Sequence, residues 1–267
     1  MSLFDDLIKK LAESGSDLHI KAGLAPHLRI DGEVVPADGF QSMDDAAIKK
    51  EIYPLLSEKK REMFEREGTV EFSLEKKEYG VRLRGSFYLE RGSPAVTLRV
   101  IPTTIPSFET LNLPPSVLKL TEEQRGLILV TGPTGSGKST ALAAMVDYAN
   151  KTFSQHIITL EDPIEFTHAS KKSLISQREL GDDFSSFPAA LRYCLRQDPD
   201  VIMVGELRDL ETVRLALQAA ETGHLVLTTL HTVDAMQSIS RIIDVFPPHE
   251  QAQLRLRLAE LIKGVIA

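Results

Sequence analysis

The sequence predicts an α/β chain built in two parts: a mixed α+β unit with an antiparallel sheet, then an α/β unit with a mainly parallel sheet. Three observations carry this reading. Beyond Leu127, short apolar runs alternate with helical stretches, the pattern of a sheet covered on both faces with its ligand site at the carboxyl ends of the strands. Before Ile101, strand-like runs are punctuated by Asp31-Gly32, Gly80 and Arg91-Gly92-Ser93-Pro94, as strands joined by tight turns are. Between the two, Pro102, Pro106, Pro114 and Pro115 leave no periodic pattern, which marks a linker stiffened by proline. The expected division is 1–101, a linker over 102–116, and 117–267.

In chain order, Leu3, Phe4, Leu7, Ile8 and Leu11 recur at helical spacing and Gly15 closes the segment, so an amphipathic helix comes first. Asp17-Leu18-His19-Ile20 and His27-Leu28-Arg29-Ile30 alternate as strands, and Asp31-Gly32 turns the second into Glu33-Val34-Val35. Helical stretches follow over Asp44 to Leu55 and Ser57 to Glu67, then strands over Thr69 to Leu74, Val81 to Leu89 and Ala95 to Ile101. In the second part the expected strands are Leu127 to Thr131, His156 to Leu160, Ser173 to Ser176, Val201 to Val204 and Leu225 to Thr229. The last stretch, Pro248 to Ala267, reads as one helix running to the final residue without a cap. A truncated form is therefore expected.

Composition sets bounds. With 42% apolar and 26% charged residues, the 267-residue chain reads as an ordinary soluble globular protein. Its 31 Lys+Arg against 38 Asp+Glu, a net charge of −7, disfavours a nucleic-acid protein dominated by a basic face, though a local basic groove stays open. The longest apolar runs are only strand-length, and Met1-Ser2-Leu3-Phe4-Asp5-Asp6 is acidic where a signal peptide is basic. A cytoplasmic location is expected. The single Cys194 excludes an internal disulfide and a four-cysteine zinc site and reads as a packed helix residue.

The chemistry centres on Gly132-Pro133-Thr134-Gly135-Ser136-Gly137-Lys138-Ser139-Thr140, which fits G-x-x-x-x-G-K-[ST] and lies between an apolar strand and a helical run. Such glycines let successive backbone N–H groups turn toward one phosphate, Lys138 reaches the β/γ-phosphates and the Ser139 hydroxyl ligates Mg²⁺. Downstream, Val201-Ile202-Met203-Val204-Gly205-Glu206 is an apolar strand ending in an acid, placed to hold the attacking water, or Mg²⁺ through a water; the bland alternative is a solvated strand-end acid. Gly205 stands where an aspartate is usual, so the metal would lean on Ser139 and waters. A second acidic cluster, Glu161-Asp162-Pro163-Ile164-Glu165, follows another strand, and Glu165 or Glu161 is a candidate to touch Mg²⁺ or water.

His224 and His231 bracket a strand, and His231 at its carboxyl end either senses the γ-phosphate or is a satisfied core residue. Arg82 and Arg84, two apart, share a strand face, and Arg99 is on the next strand. They are solvated or serve as arginine fingers, worth ~10³ or more in rate. Arg192 with Arg196, and Arg208 with Asp209, read as surface or inter-subunit pairs.

Taken together, these stretches resemble the secretion-superfamily ATPases and, within them, the PilT-type retraction ATPases of type IV pili. Gly15-Ser16-Asp17-Leu18-His19-Ile20 matches the first domain, Gly132 to Thr140 the Walker A element, and Leu160-Glu161-Asp162-Pro163-Ile164-Glu165 the Asp box. Asp198-Pro199-Asp200 through Glu206-Leu207-Arg208-Asp209 matches Walker B, and Ala220-Glu221-Thr222-Gly223-His224 through His231-Thr232 the His box. The resemblance implies a homohexameric ring of subunits with a PAS-like first domain and a RecA-like core, ATP or ADP and Mg²⁺ being held between them. By matching position, Lys138 and Ser139 bind phosphates and metal, Glu206 is the catalytic acid and Glu165 assists. His231 contacts phosphate, and Arg82, Arg84 and Arg99 are the finger candidates. Also implied are action at the cytoplasmic face of the inner membrane, a pilus platform protein as partner, and no membrane contact except through partners.

The expected function is an ATP-hydrolysing motor driving pilus retraction. Absence of the assembly enzymes' paired cysteines, a first domain at the chain's start, and Ser173-Leu174-Ile175-Ser176-Gln177-Arg178-Glu179 favour that branch. The alternatives are an assembly or type II secretion ATPase, a RecA-like nucleic-acid translocase, and a nucleotide-gated adaptor without hydrolysis. The family continues past the point where this chain ends, so a chain stopping at Ala267 is expected to bind nucleotide and to be impaired in retraction.

Overall fold

Contacts divide the computed structural model into two units, Met1–Thr103 and Thr104–Ala267, and the structure describes residues 3–101 and 104–267. Pro102 and Thr103, with which the expected linker begins, lie outside the described residues, as do Met1 and Ser2.

In the first unit, α1 (Leu3–Ser14) buries Phe4, Leu7, Ile8 and Leu11, the stripe its spacing predicts. The strands β1 (Asp17–Lys21), β2 (His27–Ile30) and β3 (Glu33–Pro36) come next, then α2 (Asp45–Ile52) and α3 (Glu58–Glu67). A long meander, β4 (Thr69–Lys76), β5 (Val81–Glu90) and β6 (Ser93–Ile101), completes one six-stranded sheet in the order β3-β2-β1-β6-β5-β4. Every neighbouring pair is antiparallel. Asp31 and Gly32 both take positive φ, 49° and 89°, which is what a two-residue hairpin turn on twisted strands requires. On one face of the sheet, Leu18, Val70, Phe72, Leu83, Phe87, Val96 and Leu98 bury themselves with the apolar stripes of the helices. Gly85 is opposite Phe72, and a Cβ there would lie 2.3 Å from the Phe72 ring, so the glycine makes room for the aromatic ring. The alternate strand positions form a polar face carrying Asp17, Arg29, Arg84 and Arg99.

The second unit begins with residues whose prolines suggested a stiffened linker. Phe108 is buried, and Leu111 and Leu113 pack on the same apolar cluster. Next come α4 (Pro115–Thr121), β7 (Gly126–Thr131), α5 (Lys138–Thr152), β8 (His156–Glu161), β9 (Leu174–Glu179), α6 (Phe187–Cys194) and β10 (Val201–Val204). The chain closes with α7 (Leu210–Glu221), β11 (Leu225–Leu230), α8 (Ala235–Asp244), α9 (Pro248–Leu261) and β12 (Ile262–Ile266). Its sheet runs β12-β7-β11-β10-β8-β9, and all pairings are parallel. Successive residues of β7 feed opposite layers: Leu127 and Leu129 join the apolar cluster to which α6, α7, α8 and α9 contribute, whereas Ile128 and Val130 join that of α5. That two-sided burial explains the unbroken apolar runs.

Two expectations are corrected here. Pro248 to Ala267 is not one helix: α9 ends at Leu261 and the next five residues pair with β7 as an edge strand. Ile262, Val265 and Ile266 are β-branched and β7 offers an open ladder, while at Gly264 a Cβ would lie 2.5 Å from the Leu120 side chain. The strand expected over Ser173 to Ser176 runs instead to Glu179, because β8 pairs along its full length, through Glu161↔Glu179. Cys194 is buried, and burial pushes its thiol up to about 12, consistent with an inert packing residue.

Candidate nucleotide-hydrolysis site

At the carboxyl end of β7 the chain enters the glycine-rich loop. Gly132 has φ of 145°, and a Cβ there would sit 2.5 Å from Ser136 Oγ. Gly135 and Gly137 also have positive φ, 84° and 94°, and Gly137 is the N-cap of α5. The loop thus takes a backbone that side chains oppose and delivers it to a helix N-terminus, the requirement for a phosphate cradle. Lys138, 9% exposed, donates from Nζ to the carbonyls of Gly132 (2.8 Å) and Pro133 (3.0 Å). Burial lowers its pKa, and the charge of Glu165 opposes that shift. Glu165 is therefore close enough to act on Lys138 electrostatically, and it is itself exposed. Ser139, the second residue of α5, is half-buried.

Three adjacent parallel strands, β11, β10 and β8, bring the acids and the histidine to the same edge. After β10, Gly205 donates its N–H to the Leu160 carbonyl (2.8 Å) and comes so near β8 that a Cβ would be 3.3 Å from that oxygen. Glycine replaces the usual aspartate there because the backbones approach closely. The Thr229 hydroxyl fastens the same peptide by donating to the Gly205 carbonyl at 2.6 Å. Glu206 follows, only 16% exposed at its side chain, with Oε2 3.0 Å from His231 Nε2 and Oε1 against Arg208 Nε. Arg208 Nη1 is also 3.5 Å from Asp162. A carboxylate only accepts, so the His231 Nε2 carries the proton. Burial lowers the His231 pKa, and the charges of Lys138 and Arg208 lower it further. The ring is neutral near pH 7. Lys138, Glu206, Arg208 and His231 therefore share one electrostatic neighbourhood.

Two residues take places other than those their sequence context suggests: Glu161 leaves this cluster and Arg208 joins it. Glu161 is 7% exposed and turns inward, accepting from Thr159 Oγ1 (2.6 Å) and Gln177 Nε2 (3.0 Å). Burial raises its pKa, so it organises the interior. Arg208 is no mere surface pair with Asp209: it holds Glu206 and Asp162, whereas Asp209 caps α7 by accepting from Thr212 N (2.9 Å). Its position two residues after the strand-end acid was the signal available for it. His224, at the other end of β11, contacts the Ala219 carbonyl at 2.9 Å through Nδ1 and has no part in the cluster. In the first unit, Arg84 pairs with Glu71 and Arg99 with Asp17, each at 2.7 Å, and Arg84 is directly opposite Arg99. Arg82 lies two residues along the same strand face as Arg84.

Among the described residues no group of three or more His, Cys, Asp or Glu side chains is placed to hold a metal ion. A hydroxyl beside a phosphate cradle with one or two carboxylates nearby suits Mg²⁺, which keeps waters and shares phosphate oxygens. Nor, among them, is any helix long and apolar enough to cross a membrane.

Comparison with known proteins accords with this geometry. The family described as "Type II/IV secretion system protein" matches residues 13–267. The type IV pilus retractation ATPase PilT of Pseudomonas aeruginosa is 46% identical over 267 residues, covering 100% of this chain and 77% of the relative. A twitching motility protein of Neisseria gonorrhoeae is also 46% identical, over 91% of this chain and 64% of its own length. A crystal structure of the pilus retraction motor PilT with bound ADP superposes with a TM-score of 0.94 at 49% identity, covering 99% of this chain and 77% of that one. The Legionella pneumophila ATPase DotB follows at a TM-score of 0.87 and 30% identity, over 97% of this chain and 74% of that one. With the family match spanning residues 13–267 and 46% identity to a relative over the whole chain, the chain belongs to the type II/IV secretion system protein family.

Proposed function

We propose that the chain is an ATP-hydrolysing motor of type IV pilus retraction, working as a homohexamer on an inner-membrane platform protein at the cytoplasmic face. The observation that carries hydrolysis is the bracketing of Glu206 by His231 and Arg208 beside the Lys138 loop. The retraction branch is supported by 46% identity to the Pseudomonas retraction ATPase across the whole chain.

In this reading the glycine-rich loop and Lys138 exchange the carbonyls of Gly132 and Pro133 for phosphate oxygens. Bound Mg²⁺ would supply charge neutralisation at the β- and γ-phosphates, with Ser139 as its protein ligand and Glu165 or Glu206 reaching it through water. Glu206 orients a water for in-line attack and takes up its proton, a role that suits a carboxylate at the strand end. Neutral His231 donates to Glu206 and, in this reading, registers the γ-phosphate when that contact changes. Arg82, Arg84 and Arg99 supply positive charge as phosphate charge develops, which needs no proton transfer and makes preorganisation the main contribution.

Steady-state ATP turnover and nucleotide binding are the test. Glu206→Gln keeps shape and hydrogen bonding and removes the base, so turnover falls by ~10² or more while nucleotide affinity is retained. Wild-type turnover in this variant would sink the reading. A deletion strain that keeps pili but cannot retract them separates retraction from assembly, in which pili are lost.

A further inference from the structure

On the polar face of the first unit's sheet, cross-strand register lines up Arg29, Asp17, Arg99 and Arg84. Asp17 is the centre of this row, and it differs from its neighbours. Its side chain is 5% exposed, whereas those of Arg99 and Arg29 are 70% and 40% exposed. Oδ1 accepts from Arg99 Nε at 2.7 Å, Oδ2 accepts from Ser16 Oγ at 2.8 Å, and Arg29 Nε is 3.7 Å from Oδ2. Burial by itself would push the carboxyl up, but the Arg99 and Ser16 hydrogen bonds outweigh it and hold the acid below its ordinary range.

The asymmetry of exposure is informative. An arginine that is mostly in water needs no partner to solvate it, and an exposed ion pair adds little to stability. A buried carboxylate carries a desolvation cost that a well-packed apolar residue would avoid. The pair therefore makes better sense as a device for the arginine than for the fold. The bond to Asp17 engages Nε, at the root of the guanidinium fork, and fixes the plane of the group while most of the side chain stays exposed. A planar fork held in this way is suited to meet phosphate oxygens two at a time. Arg84 lacks such an anchor, since its partner Glu71 is 62% exposed.

We propose that Asp17 is a positioning residue: buried beneath the arginine row, it sets the orientation of Arg99 toward phosphate charge, with Ser16 fixing the carboxylate in turn. This rests on the reading that Arg99 serves ATP hydrolysis. Asp17 touches no substrate and acts through Arg99.

The test is a double-mutant cycle on the assembled full chain, comparing Asp17→Asn, Arg99→Ala and the double variant in kcat, KM for ATP and thermal midpoint. Asp17→Asn is expected to lower kcat by up to ~10²-fold, the scale of a misplaced group, with KM within about twofold of wild type. In the Arg99→Ala background the same change is expected to lower kcat no further. Should Asp17→Asn fail to fold, Asp17→Ser takes its place in the cycle. Wild-type kcat in Asp17→Asn beside an impaired Arg99→Ala overturns the inference alone, as does a double variant slowed by the product of the two single effects. Wild-type turnover in Arg99→Ala overturns both the inference and the assignment of Arg99 to phosphate, whereas the hydrolysis reading stands or falls separately on Glu206→Gln.

Discussion

At the scale of single residues, the chemistry depends on how few groups are left to change state. Both oxygens of Glu206 are engaged, one by neutral His231 and one by Arg208. If His231 gains a proton, a third positive charge is placed beside Lys138 and Arg208, and its bond to Glu206 becomes an ion pair, which would quench Glu206 as the proposed base. The ordinary histidine value is 6.5 and the environment lowers it. The sign follows directly: activity is present above the lowered value and is lost as pH falls through it. The acid limb of kcat against pH is therefore expected below 6.5, and His231→Asn, which keeps a donor without titrating, is expected to remove that limb. An acid limb unchanged in this variant would assign it to another group. The positions of Glu206 after a buried strand and of Lys138 at a helix start were legible in the sequence because motif spacing and the apolar run fix them. The inward turn of Glu161 was not: three acids in five positions read alike until Thr159 and Gln177 claim one of them.

Between residue and molecule, the elements around the site are braced by the far end of the loop that also carries Asp162 and Glu165. Asn150, fully buried near the end of α5, donates to the Ala169 carbonyl (2.8 Å) and accepts from Lys171 N (2.9 Å). Lys172 N and Ser173 N meet the Asn150 carbonyl, and Asp147, one turn earlier, pairs with Lys171. These contacts dock the segment between β8 and β9 onto the helix that begins at Lys138. Asn150→Ala removes two part-buried hydrogen bonds to backbone groups, so a loss of about 1 kcal/mol is expected in urea unfolding. The variant should keep its nucleotide affinity, because the phosphate loop is at the opposite end of α5. A loss below ~0.5 kcal/mol would show that water replaces the side chain at no cost. The strand β12 belongs to the same scale. Its residues have the composition of a helix end as much as of a strand, and only the open ladder of β7 decides between them.

For the whole molecule, net charge and function meet in a simple expectation. A net charge of −7 disfavours the broad basic face of a translocase, and the arginine row is locally balanced by Asp17 and Glu71. ATP turnover is expected not to rise on adding single-stranded DNA at low salt, and under the proposed hexamer, in which arginines would reach neighbouring phosphates, turnover per chain is expected to rise with protein concentration. Stimulation by DNA that weakens with salt would revive the translocase reading, and turnover independent of concentration would remove the need for a neighbouring copy. The sequence by itself determined the phosphate loop, the strand-end glutamate, the two-part plan and most strands, because each is a pattern among residues close along the chain. Only the tertiary structure decided that Phe108 in the proline-rich stretch packs into the second unit, that the last residues form a strand, that Arg208 meets Glu206, and that Asp17 lies beneath Arg99. Asp17 and Arg99 are 82 positions apart. Such contacts are set by pairing register and by which groups burial strips of water, and local periodicity carries neither.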